Sequence, residues 1–106
     1  MKKIVILGST GMLGNAVADY FLSSDKYVVM TSYRNSALKR DSNSFYFDAL
    51  KSDFESIPEC DYVLNCIGII KPFMEKNVID SIYVNSVFPR KLSQWCNKTE
   101  KKLIQL

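Results

Sequence analysis

The chain has 106 residues, of which 47% are hydrophobic and 24% charged, and this length and composition predict one small folded domain over residues 1–106. Lys and Arg number 14 against 11 for Asp and Glu, and the net charge of +3 gives no indication of a nucleic-acid or membrane surface. Because the sequence contains no histidine, it excludes a Ser-His-Asp or Cys-His catalytic pair and a histidine-based metal site, and we predict no metal.

Five short runs of β-branched and aromatic residues predict five β-strands. They cover residues 3–7, 27–32, 44–48, 61–66 and 102–106. Nearly continuous apolar stretches occur in the first and fourth runs, as expected of central strands that are covered on both faces.

The segment after the first strand has the spacing of an amphipathic helix. Leu13, Val17, Tyr20 and Phe21 recur at i, i+4, i+7 and i+8, which predicts that these four side chains form the buried face.

A second helical pattern covers residues 80–97, with Ile82, Leu92 and Cys96 roughly in line. Pro89 lies inside this pattern and lacks the N–H that would bond to the Asn85 carbonyl, so we predict a kink there.

Strands that alternate with helical segments predict right-handed βαβ units and therefore an α/β fold. We expect a Rossmann-like, doubly wound parallel sheet in the order 3-2-1-4-5, with helices on both faces. Segments 35–40 and 49–56 are predicted to be short turns or broken helices rather than full crossover helices. Ligands bind to such sheets at the carboxyl ends of the strands.

The stretch GSTGMLG at 8–14 joins the first predicted strand to the first predicted helix. Gly8 would adopt backbone angles closed to other residues, Gly11 would let the main chain approach a diphosphate, and Gly14 would let the helix pack on the strand. The N–H groups at the start of the helix, with its positive dipole end, would bind the phosphates. The alternative is a tight β-α turn without a ligand. The predicted dinucleotide-binding residues here are Gly8, Ser9, Thr10, Gly11, Met12, Leu13 and Gly14.

The end of the second predicted strand is where an acidic residue would hold the ribose 2′-OH of NAD. Thr31, Ser32, Tyr33 and Arg34 stand there, with no acid among them. A cation at this place favours the 2′-phosphate of NADP through a charge-assisted contact, so we predict NADP as the cofactor, with NAD possible. The alternative is that Arg34 is a solvated loop cation that permits either cofactor.

Four stretches together resemble the extended short-chain dehydrogenase/reductase superfamily: GSTGMLG at 8–14, FDAL at 47–50, VLNCIGIIKP at 63–72 and VNSVFPRKL at 84–92. Within it, the combination of the NCIGIIKP turn with a later Asn-Ser-x-x-Pro is most similar to the dTDP-4-dehydrorhamnose reductase group of sugar-nucleotide reductases. The resemblance spans nearly the whole chain. It implies an NADP(H)-dependent oxidoreductase that transfers hydride to a 4-keto sugar nucleotide.

The resemblance also implies roles for single residues. Asp48, predicted to end the third strand, would contact adenine with Ala49 beside it; the alternative is that it caps a helix beginning at Ala49. Asn85 would brace the active-site backbone; the alternative is a polar residue on an exposed helix face.

Asn65, Cys66, Ile67 and Gly68 end the fourth predicted strand, across the switch point of the sheet from the glycine loop, where the ribose and nicotinamide would pass. Gly68 would permit a close approach, whereas Ile67 is bulkier than the small residue that the family usually has. Cys66 is interpreted as a small buried hydrophobic residue rather than a nucleophile, because no base or cation stands near it in the sequence.

The catalytic pair of the family, Tyr-x-x-x-Lys with a Ser or Thr alongside, is absent, since none of the 6 tyrosines has a lysine four residues later. The sequence stops within the fifth predicted strand, before the point at which this pair would begin. We therefore expect the N-terminal, cofactor-binding part of a reductase, inactive by itself and without a catalytic residue. Two alternatives stay open: part of an NAD-dependent nucleotide-sugar epimerase or dehydratase, and a non-catalytic NAD(P)-binding sensor module.

The remaining expectations concern partners and location. An unpaired edge at the fifth strand and an uncovered apolar face of the sheet predict a homo-oligomer, and the complete protein would bind a nucleotide sugar. The 3 cysteines argue against a disulfide framework, and no apolar run approaches the roughly 18 residues of a membrane span. We expect a cytoplasmic protein with no nucleic-acid or membrane partner.

Overall fold

The structure, a computed structural model, describes residues 1–9, 11–68 and 78–106, and its strands form one parallel sheet. The strands are β1 (Lys2–Leu7), β2 (Tyr27–Tyr33), β3 (Phe45–Tyr46), β4 (Tyr62–Asn65) and β5 (Lys102–Gln105). Their order across the sheet is β3-β2-β1-β4-β5, which confirms the predicted Rossmann-like order. β1 lies at the centre and pairs in parallel with β2 and with β4.

Helices connect these strands on both faces of the sheet. They are α1 (Met12–Leu22), α2 (Val78–Ile82) and α3 (Phe88–Lys98), with a π turn at Tyr83–Val87 between the last two. Single 3-10 turns at Ser36–Leu38 and Phe54–Ser56 confirm that the two weaker segments are not full crossover helices. In the described ranges no helix has both the length and the apolar character needed to cross a bilayer.

The side chains of β1 alternate between two apolar clusters, because successive residues of a strand point to opposite faces. Ile4 and Ile6 belong to the cluster that contains Ala18 of α1. Val5 and Leu7 belong to the cluster that contains the buried residues of α3. The central strand β1 is therefore covered on both faces, and its carboxyl end lies at the sheet edge where such folds bind ligands.

The buried face of α1 differs from the prediction. Leu13 and Tyr20, which the apolar spacing placed inside, are 51% and 72% exposed, whereas the other two members of that face are partly buried. The fully buried positions of the helix are Gly14 and Ala18. Small residues at these positions let the helix lie close to the sheet, so packing distance rather than hydrophobicity selects the contact face.

The second helical pattern is interrupted directly before Pro89. Phe88 N–H donates to the Tyr83 carbonyl, five residues back, which defines the π turn. A π turn thus stands directly before the position at which the sequence predicted a kink. An extra residue in a turn rotates the helix face by about 100°, which explains why Ile82 is 57% exposed, contrary to the prediction, while Leu92 and Cys96 are buried.

The outer strands are short or exposed. β3 has 2 residues, so Asp48 lies beyond its end instead of ending it as predicted. β5 forms one edge of the described sheet, and Ile104 and Leu106 are exposed along it. Self-association through this strand stays a prediction.

Candidate functional site

A cavity of about 350 Å³ opens where β1, β2 and β4 end, at the sheet edge where parallel α/β folds bind ligands. Its wall combines the glycine loop, the end of β2, the segment after β3 and the turn after β4. The predicted site residues that line it are Gly8, Gly11, Arg34, Asp48, Ala49, Cys66, Ile67 and Gly68. The lining residues that sequence reasoning missed are Ser32, Tyr33, Leu38, Phe47, Leu50 and Val84.

The other predicted residues lie around this cavity rather than in its wall. Ser9 is buried behind the loop, and Gly14 packs underneath it. Met12 and Leu13 expose their side chains, so only their main-chain amides are candidates for phosphate contact. Thr10 lies outside the described residues.

Two of the three loop glycines have conformations or contacts that exclude a side chain. Gly8 has φ +78°, and a Cβ built on it would lie 2.9 Å from the Ile67 nitrogen in the turn after β4. A Cβ on Gly14 would overlap the Gly8 carbonyl oxygen and lie 2.6 Å from the carbonyl carbon. The sequence-based reasons for Gly8 and Gly14 are thereby confirmed.

Gly11 is different, because a Cβ there would lie 3.6 Å from the Gly8 carbonyl oxygen, an ordinary contact. It is the N-cap residue of α1, with φ −77° and ψ 172°, and it has no side-chain oxygen for the N–H groups of the first turn. Those N–H groups have no intrahelical acceptor and carry the positive end of the helix dipole. This end of α1 can therefore bind an anion.

Two buried serines join the glycine loop to the neighbouring strand. Gly8 N–H donates to Ser32 Oγ at 2.8 Å, and Ser9 Oγ donates to the Ser32 carbonyl oxygen at 2.7 Å. Ser32 is only 2% exposed, yet it lines the cavity. Its hydroxyl accepts from the loop and so retains a proton to donate. The available sequence signal was a serine two residues after β1 and another near the end of β2.

Arg34 and Asp48 place opposite charges at the cavity. Arg34 stands one residue beyond β2, is exposed and lines the wall, as its predicted role requires. Asp48 is partly buried, and its Oδ1 accepts from the Leu50 N–H at 2.9 Å. The carboxylate therefore caps the turn that follows it, but no helix begins at Ala49, contrary to the N-cap alternative. Ala49, beside it, is buried.

The turn after β4 is held by Asn65, a fully buried residue. Its Oδ1 accepts from the Ile67 N–H at 3.1 Å, and its Nδ2 donates to Gln105 Oε1 of β5 at 2.9 Å. Cys66 N–H continues the sheet by donating to the Leu7 carbonyl at 2.9 Å. These bonds fix the turn of residues 66–68 directly against Gly8.

Asn85 meets this turn from the helical side. A Cβ placed on Gly68 would lie 3.6 Å from Asn85 Oδ1, so the exposed asparagine of the π turn stands beside the cavity wall. Its predicted bracing role and the exposed-face alternative are both compatible with this position. The assignment of Asn85 to the cofactor site stays a prediction.

Cys66 is a half-buried thiol, and burial raises its pKa above the ordinary value of 9.0. Near neutral pH it is therefore protonated, and we expect iodoacetamide to alkylate it more slowly than it alkylates glutathione. Because the pKa of Cys66 is raised in the folded state, its alkylation rate should begin to rise at a higher pH than the rate of an ordinary thiol does. Mass spectrometry of the Cys66 peptide measures this, and alkylation near neutral pH faster than that of glutathione would contradict it.

Several solved structures share this fold. The chain is 19% identical to L-threonine dehydrogenase from Phytophthora infestans, with a TM-score of 0.79 over 97% of this chain and 35% of that one. It is 20% identical to Pen from Bacillus thuringiensis, with a TM-score of 0.80 over 98% of this chain and 38% of that one. UDP-glucuronic acid 4-epimerase from Bacillus cereus, solved in complex with NAD, is 19% identical to the chain. Its TM-score is 0.71 over 95% of this chain and 36% of that one. The chain thus spans little more than a third of each of these proteins.

Sequence comparison gives the family directly. No curated protein sequence matches the chain significantly. The model of the NAD dependent epimerase/dehydratase family matches residues 4–106, nearly the whole chain. This match covers the glycine loop, the strand ends and the π turn from which the cavity is built. On this evidence the chain belongs to the NAD dependent epimerase/dehydratase family.

Proposed function

We propose that the chain binds NADP(H) in this cavity, with the diphosphate at the start of α1 and the adenosine 2′-phosphate at Arg34. The observation that carries the proposal is the placement of Arg34 on the cavity wall, with the buried Ser32 at the strand end beside it. A carboxylate at this strand end would repel a 2′-phosphate, whereas a guanidinium binds it with charge-assisted hydrogen bonds.

The cavity residues fit the parts of such a cofactor. A volume of about 350 Å³ is within the usual range of ligand pockets. Gly8 and Gly11 leave the main chain open to the diphosphate, and Leu38 and Leu50 offer apolar surface for the adenine ring. When bound, NADP(H) supplies the hydride chemistry, and the residues of this chain bind and orient it.

For the whole protein we propose hydride transfer to a 4-keto sugar nucleotide, as in the dTDP-4-dehydrorhamnose reductase group. The support is the pair of stretches NCIGIIKP and NSVFP, the first of which extends outside the described residues. NADPH oxidation by the protein of the complete reading frame, with dTDP-4-keto-6-deoxy sugars as substrates, tests this. No oxidation with any of them would remove the reductase assignment.

A second candidate is an NAD-dependent nucleotide-sugar epimerase or dehydratase. The family itself favours it, and so does the similarity in fold to UDP-glucuronic acid 4-epimerase, which was solved with NAD. This candidate predicts that the protein binds NAD(H) at least as tightly as NADP(H). Cofactor preference therefore separates the two candidates.

Arg34→Ala is expected to lower the affinity for NADPH by about 10- to 100-fold and to leave that for NADH nearly unchanged. A hydrogen bond to a charged group contributes about 1.5–3 kcal/mol, and only NADPH has the 2′-phosphate that would receive it. Fluorescence titration of both cofactors measures the two dissociation constants. Lys39→Ala is the matched control, because Lys39 is an exposed cation of the same loop that is absent from the cavity wall. Equal affinities in the unaltered protein would refute the assignment of Arg34.

A further inference from the structure

Arg40 fastens the loop after β2 to helix α1. Its Nη1 donates to Asp19 Oδ1 at 2.9 Å, and its Nη2 donates to the Asn15 carbonyl oxygen at 3.1 Å and to Asn15 Oδ1. Asn15 and Asp19 are four residues apart and so lie on one face of the helix. The Arg40 side chain is 21% exposed, which is low for a residue of a surface loop.

The fastened loop carries two residues of the cavity wall. Arg34 begins it, and Leu38 closes a 3-10 turn in its middle. Asn35 holds this turn through its side chain, which accepts from Ala37 N–H at 3.0 Å, and through its carbonyl, which accepts from Leu38 N–H at 2.9 Å. The short segment between Arg34 and Arg40 therefore contains a turn closed by its own hydrogen bonds.

The two arginines at the ends of this loop therefore have different surroundings. Arg34 lines the cavity, while Arg40 is paired with the helix whose first turn forms the anion-binding end. The planar guanidinium of Arg40 reaches a carboxylate and a main-chain carbonyl together, which a lysine could not do with the same geometry. Arg40 thus joins the loop to α1 within the first two turns of the helix.

We propose that Arg40 is a positioning residue that holds Arg34 and Leu38 at the cavity and so determines the preference for a 2′-phosphate without touching the cofactor. This inference rests on the proposed binding of NADP(H). A loop that is already ordered loses less conformational freedom when the phosphate binds, and this raises the affinity of the ligand that uses Arg34.

Dissociation constants of NADPH and NADH for Arg40→Gln test the proposal. We expect the preference for NADPH over NADH to fall by about three- to ten-fold, with NADH affinity unchanged. Asp19→Asn, a milder change on the helix side, should lower the preference in the same direction and have no further effect in the Arg40→Gln background. Equal weakening of both cofactors, or no change in the preference, would overturn the positioning role.

A double-mutant cycle with Arg34→Ala separates positioning from a general loss of structure. If Arg40 acts through Arg34, then Arg40→Gln has no effect on the preference once Arg34 is alanine. The same fall in preference in both backgrounds would show that Arg40 does not act through Arg34.

Hydrogen exchange tests the clamp without any cofactor. The amides of Leu38 and Lys39 donate within the 3-10 turn, to Asn35 O and Ser36 O, and should exchange about ten-fold faster in Arg40→Gln. Unchanged exchange would overturn the clamp itself. If the unaltered protein shows no preference for NADPH, the proposed function fails and so does the cofactor role of Arg40, whereas the exchange result still decides whether the loop is held.

Discussion

Gly14→Ala is expected to lower the free energy of unfolding by about 3 kcal/mol or more and to abolish dinucleotide binding. The added Cβ would overlap the Gly8 carbonyl oxygen and lie 2.9 Å from Ser9 Cα, and both neighbours are main chain that cannot move aside cheaply. Overpacking of this kind typically costs about 1–3 kcal/mol and occasionally more, and here α1 would have to shift away from the sheet. Urea unfolding measures the stability.

Gly11→Ala is the matched control within the same loop. Its Cβ would make an ordinary 3.6 Å contact, and the backbone angles of Gly11 are open to any residue. We expect a stability change of about 1 kcal/mol or less, together with weaker cofactor binding where the main chain faces the diphosphate. Equal destabilisation by the two substitutions would contradict the contact between α1 and the loop.

Asn65→Ala is expected to destabilise the domain by about 3 kcal/mol and to loosen the turn that faces Gly8. The substitution leaves the Ile67 N–H without its acceptor and creates a cavity at a fully buried position, whereas the exposed Gln105 side chain can bond to water instead. An unsatisfied buried polar group costs about 1–3 kcal/mol, and the lost volume adds to this.

Gln105→Ala isolates one half of that effect. It removes the side-chain bond between β4 and β5 but keeps the Asn65 bond to Ile67, and because position 105 is exposed, water can take the place of Gln105 at Asn65 Nδ2; we therefore expect a loss of only about 1 kcal/mol in urea unfolding. If Asn65→Ala were no more destabilising than Gln105→Ala, the bond that fixes the turn would have no measurable role.

The strand order and the glycine geometry could be predicted because both follow from local pattern. Strands that alternate with helical segments allow few topologies, and only a few structural roles account for three glycines between a buried strand and a helix. Gly8 and Gly14 accordingly have the predicted backbone conformation and the predicted close contact. These features follow from the order of the elements and from the residue types within one turn, without knowledge of which side chains meet across the fold.

The residues that were missed depend on contacts between distant parts of the chain. Ser32 meets Gly8 and Ser9 only because β1 and β2 pair in one particular register, which the sequence of either strand alone does not specify. Arg40 similarly reaches Asp19 across 21 residues. The wrong prediction for Leu13 and Tyr20 has another cause, since apolar spacing takes no account of how closely a helix approaches a sheet.

Diffraction from crystals of the protein grown with NADP⁺ is the most direct test of the cofactor site. We expect the diphosphate against the main-chain amides at the start of α1, in the loop of residues 8–14, and the 2′-phosphate within hydrogen-bond distance of the Arg34 guanidinium. A nucleotide bound elsewhere on the surface, or side chains filling the space between Gly8 and Gly68, would contradict this placement.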